Sequence, residues 1–203
     1  MAKDGYRFAL PPLALGVVAA AIGWHATGIV LLLLSAFVVY FFRDPERVPP
    51  TDARLVVSPA DGRVTVIVDE PWEGRPGQRI SIFLAIWNVH MSRAPMAGRV
   101  LRVDYKRGKF YNAMGARASQ DNEQNVIHLQ TDRGEIVFKQ IAGAIARRVV
   151  CWKRPGDSVA LGERIGLIRF GSRMDVWLPE GADIVAKVGQ HVAGGTTVLA
   201  RWR

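Results

Sequence analysis

Three short pieces of this 203-residue chain hold side chains that can do chemistry together: Ser58-Pro59-Ala60-Asp61-Gly62, Asn88-Val89-His90-Met91-Ser92 and Gly171-Ser172-Arg173. A carboxylate can orient an imidazole, and the imidazole can then take the proton of a hydroxyl, which turns a serine into a nucleophile. The glycine before Ser172 leaves its own carbonyl uncrowded and permits backbone angles that other residues avoid. A serine held there can attack the peptide bond on its N-terminal side. Taken singly, each piece has a plainer reading. Asp61 is a turn former that bonds its own backbone, His90 a structural residue after a strand, and Gly171-Ser172 a turn between strands.

Other chemistries lack their residues. The chain has no GxxxxGK, HExxH or GxSxG. His25, His90, His128 and His191 are too far apart for a local metal motif, so no metal site is expected, and the lone Cys151 excludes an internal disulfide. A carrier domain would need a lysine at a hairpin tip, but Lys187 precedes a turn glycine instead.

The elements that must position these residues read as mainly β. After a charged, proline-bearing linker at 43–52, short apolar runs alternate with the turn signals Asp61-Gly62, Pro76-Gly77, Arg133-Gly134 and Pro155-Gly156. Only 142–150 reads equally as helix or strand. Two stretches match at an offset of 33: Gly156, Val159, Gly162 and Ile165 against Gly189, Val192, Gly195 and Val198. This spacing resembles the paired strands of biotinyl- and lipoyl-type folds, so a barrel-sandwich-like catalytic domain is expected over 53–203.

Ahead of it, Phe8–Phe42 carries no charge. One helix of that length would rise about 52 Å, against a hydrocarbon core of about 30 Å. Gly23, His25, Thr27 and Gly28 break the run. Residues 1–42 therefore read as a membrane-associated hairpin of two short helices. Lys3, Arg7, Arg43 and Arg47 flank its ends, which puts both on the cytoplasmic side of the cell membrane. A signal peptide is the competing reading. The formal charge is +9, from 27 Lys and Arg against 18 Asp and Glu; setting aside Lys3, Asp4 and Arg7 leaves +8 on 43–203. A basic domain beside a membrane suits an anionic lipid surface better than nucleic acid, for which no reading motif is present.

These pieces, taken with their surroundings, resemble the short bacterial phosphatidylserine decarboxylases. The resemblance rests on 58–64 (SPADGRV), 88–95 (NVHMSRAP), Asn122-Glu123, 140–152, and above all 155–179 with Gly171-Ser172 at its centre. The arginine usual after the Asn-Glu pair is Gln124 here, and Trp87 stands where longer members have a second histidine. The resemblance implies a precursor that cuts itself between Gly171 and Ser172, with Asp61 orienting His90 and His90 deprotonating Ser172. It implies a chain of residues 1–171 and a chain of 172–203, held together as a heterodimer. It further implies a covalent pyruvoyl (pyruvate) group made from Ser172, which condenses with the amine of phosphatidylserine and accepts electrons as CO2 leaves to give phosphatidylethanolamine. Arg63, Arg93 or Arg173 lies near a motif and could hold the substrate phosphate, but each reads first as a simple surface charge. The alternative is a non-enzymatic, membrane-anchored adaptor.

Overall fold

Two helices form where the apolar run is broken only at 22–24. In the computed structural model, which describes residues 3–115, 117–144, 148–169 and 172–203 and side chains from residue 5, they are α1 (Lys3–Ala21) and α2 (His25–Phe41). Gly23 adopts φ +88°, Trp24 N–H donates to Ala19 O at 2.8 Å and Gly23 N–H to Ala20 O at 3.2 Å. This pair of bonds satisfies the last carbonyls of α1 and turns the chain back. The helices then cross at their small residues: a Cβ on Gly28 would lie 3.1 Å from Ala20 Cβ and from Gly16 O. Ser35 Oγ donates to Ala9 O at 2.9 Å across the same pair. Leu10, Leu15, Val18, Trp24, Val30 and Leu33 are each more than half exposed. No helix among the described residues is long and apolar enough to cross a membrane.

The chain divides into two compact units, Met1–Glu46 and Arg47–Arg203. The second is mainly β. Its strands are β1 (Leu55–Val57), β2 (Gly62–Asp69), β3 (Gly77–Leu84), β4 (Met91–Arg93), β5 (Gly98–Lys106), β6 (Gln124–Thr131), β7 (Gly134–Ala142), β8 (Arg148–Cys151), β9 (Ser158–Val159), β10 (Arg164–Arg169), β11 (Ser172–Pro179), β12 (Ala182–Ile184), β13 (His191–Val192) and β14 (Val198–Trp202). A four-residue helix, α3 (Ala118–Asp121), precedes β6. The ambiguous stretch 142–150 is strand at both described ends, in β7 and β8. One curled sheet has eight strands in the order β13-β2-β3-β11-β7-β6-β5-β9; two three-stranded sheets run β1-β14-β12 and β4-β10-β8. Ile80, Ile82, Leu129, Phe138, Met174 and Val176 fill the core between them, all at most 1% exposed.

The strand orders are those of two similar halves. One half is β4–β10, continuous in the chain; the other is β1–β3 completed by β11–β14. Equivalent hydrogen bonds recur. Val64 N–H to Gln190 O and Gly189 N–H to Val64 O, at 2.9 and 2.8 Å, correspond to Val100 N–H to Asp157 O and Gly156 N–H to Val100 O, both 2.8 Å. Gly195 N–H to Ser58 O at 2.8 Å corresponds to Gly162 N–H to Ala94 O at 2.9 Å. Val57 N–H and Arg93 N–H donate reciprocally to Pro95 O and Pro59 O, both at 2.8 Å, and join the halves. The repeat at offset 33 is thus a structural one, and a second lies upstream at offset 36: Pro59, Gly62, Arg63 and Val64 against Pro95, Gly98, Arg99 and Val100.

Gly62 and Gly98 hold the same tight place in each half. A Cβ there would lie 2.3 Å from Phe83 O and from Gln130 O respectively, on the neighbouring strand's backbone. Gly62→Ala and Gly98→Ala should each destabilise the fold by roughly 1–3 kcal/mol, read as a fall of several degrees in Tm. A wild-type melting curve for either variant would contradict the close approach.

Candidate active site

The candidate site lies where the chain passes between the two halves. It leaves the first half at the end of β3 and enters the second at β4, through residues 85–90. It leaves the second half at Arg169, the end of β10, and re-enters the first at Ser172, the start of β11. The two passages are neighbours: β11 pairs with β3, placing Ser172 opposite Leu84, and β10 pairs with β4, placing Leu167 opposite Met91. Ile168 N–H donates to His90 O at 3.1 Å. His90 and Ser172, 82 positions apart in sequence, therefore flank adjacent passages. Phe170 and Gly171 lie outside the described residues, so the expected cleavage site is defined here on its Ser172 side.

Ser172 begins a central strand, with Leu84 on one side and Ala142 on the other. Strand alternation puts it on the face of Met174, Val176 and Leu178, which belong to the core. It is wholly buried, and among the described residues its Oγ has no hydrogen-bond partner. Such a hydroxyl costs about 1–3 kcal/mol when left unsatisfied, and an unexplained one points to chemistry or stored strain.

His90 is 3% exposed, and its Nδ1 lies 2.9 Å from Asn88 O. A carbonyl only accepts, so in the neutral ring Nδ1 carries the proton and Nε2 is the basic nitrogen. Asn88 is itself fixed by a tight turn: its N–H donates to Ala85 O and its Oδ1 accepts from Ala85 N–H, both at 2.8 Å. A backbone carbonyl thus orients His90 at Nδ1.

Asp61 precedes β2. Its Oδ1 accepts from Gly194 N–H at 2.7 Å, and its Oδ2 pairs with the Arg47 guanidinium at 2.9 Å. No hydrogen bond joins Asp61 to His90. The other half shows that the fold does not need this carboxylate. The position equivalent to Asp61 is Ala97, that equivalent to Gly194 is Leu161, and the same turn and strand form there without an acid.

Buried polar side chains fasten the strands around Ser172. Asn122, wholly buried, donates through Nδ2 to Ala142 O at 2.7 Å and to Tyr111 O at 2.9 Å, and accepts from Tyr111 N–H at 2.9 Å. Glu123 O accepts from Ala142 N–H at 2.9 Å. The Asn122-Glu123 pair therefore clasps the residue beside Ser172. Gln124, in the place of the usual arginine, donates to Ser119 O and Asn122 O at 3.3 and 3.2 Å. Beneath, Gln140 Nε2 donates to Ser92 Oγ and Val150 O, both at 3.0 Å, while its Oε1 accepts from Asn125 Nδ2 at 2.8 Å.

The opposite face of β11 carries an internal charge cluster. Arg173 Nε donates to Asp175 Oδ1 at 2.6 Å and its guanidinium to Ser81 Oγ at 2.7 Å; Ser119 Oγ also donates to Asp175. Burial holds the Lys139 amine below the usual lysine range, although Asp175 and Glu70 oppose it. Arg173 and Arg93 are each 5% exposed, and Arg93 donates to Gly162 O at 3.1 Å. The expectation of simple surface charges is corrected for both: strand alternation and close-packed neighbours bury them. Arg63 is exposed, with its Nε on Gly189 O at 3.0 Å.

Motif reading singled out Ser172, His90 and Asp61; it did not single out the Asn88 carbonyl, the Arg47 pairing or the Gln140 cluster, which the structure sets around them. Asn88 works through its carbonyl, which no side-chain type signals. The offset-36 repeat would have revealed the two halves and hence the adjacent passages. Asn122→Ala should speed hydrogen exchange at the Tyr111 amide by well over an order of magnitude and leave Ile136–Phe138 protected; an unchanged Tyr111 amide would exclude the clasp.

Residues 34–200 match the family model described as phosphatidylserine decarboxylase. The match takes in Asp61, His90, Asn122, Gly171 and Ser172 and begins within α2.

Proposed function

The chain belongs to the phosphatidylserine decarboxylase family of carboxy-lyases, and we propose that it makes its own electrophile by cutting itself between Gly171 and Ser172. The observation that carries this reading is the buried, unpartnered Ser172 hydroxyl at the head of β11, beside the passage that ends in His90.

In this reading His90 takes the Ser172 hydroxyl proton through Nε2, and Asp61 takes over Nδ1–H from the Asn88 carbonyl that holds it in the resting structure. The Ser172 oxygen adds to the Gly171 carbonyl. The C–N bond breaks as the C–O bond forms, and the freed amine takes up the proton. Loss of the Ser172 α-proton then breaks the new ester. Gly171 keeps a carboxylate, residue 172 becomes dehydroalanine, and its tautomer takes up water and releases ammonia to leave a pyruvoyl group. Asp61 is the residue that orients and charges the pair, for which it must exchange Arg47 for His90.

The residues present suit that group: it stands on residue 172 itself, between Leu84 and Ala142, in a site with no competing hydrogen bond to its oxygen among the described residues. Its ketone supplies an electrophile for the substrate amine and a sink for the electrons released with CO2. His90 is placed to hold or return a proton there, and Trp87 leaves it without a second histidine nearby in the sequence. The two product chains, of 171 and 32 residues, stay joined as a heterodimer because β11 lies between β3 and β7, β13 pairs β2, and β14 pairs β1. We read the second unit as a barrel-sandwich-like domain. The exposed apolar face of the α1–α2 hairpin fits insertion into one leaflet of the cell membrane from the cytoplasmic side, where phosphatidylserine is substrate and anionic lipid the partner surface.

Intact mass of the purified chain should show two fragments meeting after Gly171, the smaller blocked to Edman sequencing and reducible by borohydride in the presence of an amine. Ser172→Ala should stay whole and inactive. His90→Ala and Asp61→Ala should slow processing at least 100-fold, whereas Arg47→Ala, which frees the Asp61 carboxylate, should process no more slowly than the wild type. An intact serine at 172 in an active preparation refutes the proposal; normal maturation of Asp61→Ala removes that residue from the relay.

A further inference from the structure

The passage 85–90 and the loop 107–115 leave the eight-stranded sheet at one end. Register places Leu84, Ser172, Ala142, Gln124 and Lys106 together there, at the ends of β3, β11, β7, β6 and β5. The loop after Lys106 is built and anchored. Lys109 N–H donates to Asp121 O at 2.7 Å, Glu123 N–H returns to Lys109 O at 3.0 Å, and Asn122 binds Tyr111 on one side and Ala142 on the other. A Cβ on Gly108 would lie 2.3 Å from Asp121 O, so the chain passes closely there. From this base the loop holds Phe110, Tyr111 and Met114 out, 37%, 38% and 64% exposed. Trp87, on the passage that leads to His90, is 64% exposed at the same end.

The charges at the two ends differ. Residues 106–117 carry Lys106, Arg107, Lys109 and Arg117 and no acid. At the far end of the sheet, the turns and strand ends expose Asp69, Glu73, Asp132, Glu180 and Asp183, with Arg75, Arg133 and Arg203 beside them, Arg75 paired with Glu73 and Arg203 with Asp183. One end thus presents aromatic and thioether side chains among cations, and the other presents acids.

We propose that the 107–115 loop and Trp87 form a membrane-docking rim in the β unit, seated on the anionic lipid interface from which the substrate reaches Ser172. The proposal rests on the decarboxylase reading for the nature of the surface. Aromatic and apolar side chains seat at the headgroup–acyl boundary, and neighbouring cations are drawn to anionic headgroups. A protein partner would not require the cations to border the passage to Ser172, whereas an anionic lipid substrate does. Through Asn122 the loop is also tied to Ala142, beside Ser172, so docking and site share one support.

The test uses the full chain. Met114→Cys and, as the far-end control, Glu180→Cys are each labelled with an environment-sensitive fluorophore in a Cys151→Ser background. They are bound to phosphatidylglycerol vesicles whose acyl chains carry bromine near the headgroup. The Met114 probe should shift to the blue and be quenched severalfold more than the Glu180 probe. Equal behaviour of the two probes overturns the proposal. A second measurement keeps Cys151 native: in Phe110→Ser/Met114→Ser, the ratio of turnover on vesicle phosphatidylserine to turnover on monomeric short-chain phosphatidylserine should fall roughly tenfold. An unchanged ratio also overturns it. If the decarboxylase reading itself fails, the unsubstituted chain turns over neither substrate, while the probe comparison still decides whether the rim meets lipid.

Discussion

The register of β11 between β3 and β7 is the constraint on which the rest depends. A strand slipped by one residue would turn its whole side-chain set to the opposite face. Ser172 would then leave the core face, and Arg173 and Asp175 would enter it. Both neighbours fix the register over many residues, from Ser172 opposite Leu84 and Ala142 to Trp177 opposite Arg79 and Val137. The faces reinforce it: Met174 and Val176 belong to the apolar core, while Arg173 and Asp175 satisfy each other behind the sheet. Breaking that buried pair by removing one partner would leave an uncompensated charge, which is strongly unfavourable. The cluster thus acts on Ser172 by holding the strand that carries it.

The two-half architecture explains why the site sits where it does. A contiguous half inserted into a split one requires two passages, and antiparallel pairing on both sides makes them adjacent. Strand for strand, each half has a counterpart in the other, down to the arginines whose Nε atoms meet Gly189 O at 3.0 Å and Gly156 O at 3.2 Å. The departures from symmetry are therefore informative. Asp61 against Ala97 is one: the carboxylate holds Gly194 N–H and Arg47, where the other half has no acid.

Much of this was legible in the residues. Turn glycines and alternating apolar runs identify a β unit, and Gly156, Gly162, Gly189 and Gly195 mark the later repeat because each takes a positive φ that other side chains resist. The break at Gly23 likewise announces the helical hairpin. What the sequence could not display is pairing between distant strands. The Gln140–Ser92–Asn125 cluster joins three strands through neutral side chains of ordinary type, and only the register brings them together. Arg93 and Arg173 mislead for the same reason: composition treats arginine as surface charge, while a strand interior can bury it against a carbonyl or a carboxylate.

An enzyme acting on a lipid headgroup faces a geometric problem that a soluble substrate does not pose. The bond to be broken lies at the interface, so the reacting residue must be close to the protein surface and still shielded from water. The end of a central strand meets both needs. Ser172 is buried by the strands beside it, yet it is the first residue of β11, next to the passages at the sheet's rim. Under the proposed function, an electrophile deeper along β11 would lie inside the apolar core, beyond the reach of a headgroup held by its acyl chains. Placing it on an edge strand would lose one of the two flanking strands that exclude solvent. With eight strands in the sheet, a central strand is also the one whose removal would divide the sheet, so the scission proposed at its first residue would leave an assembly held on both sides.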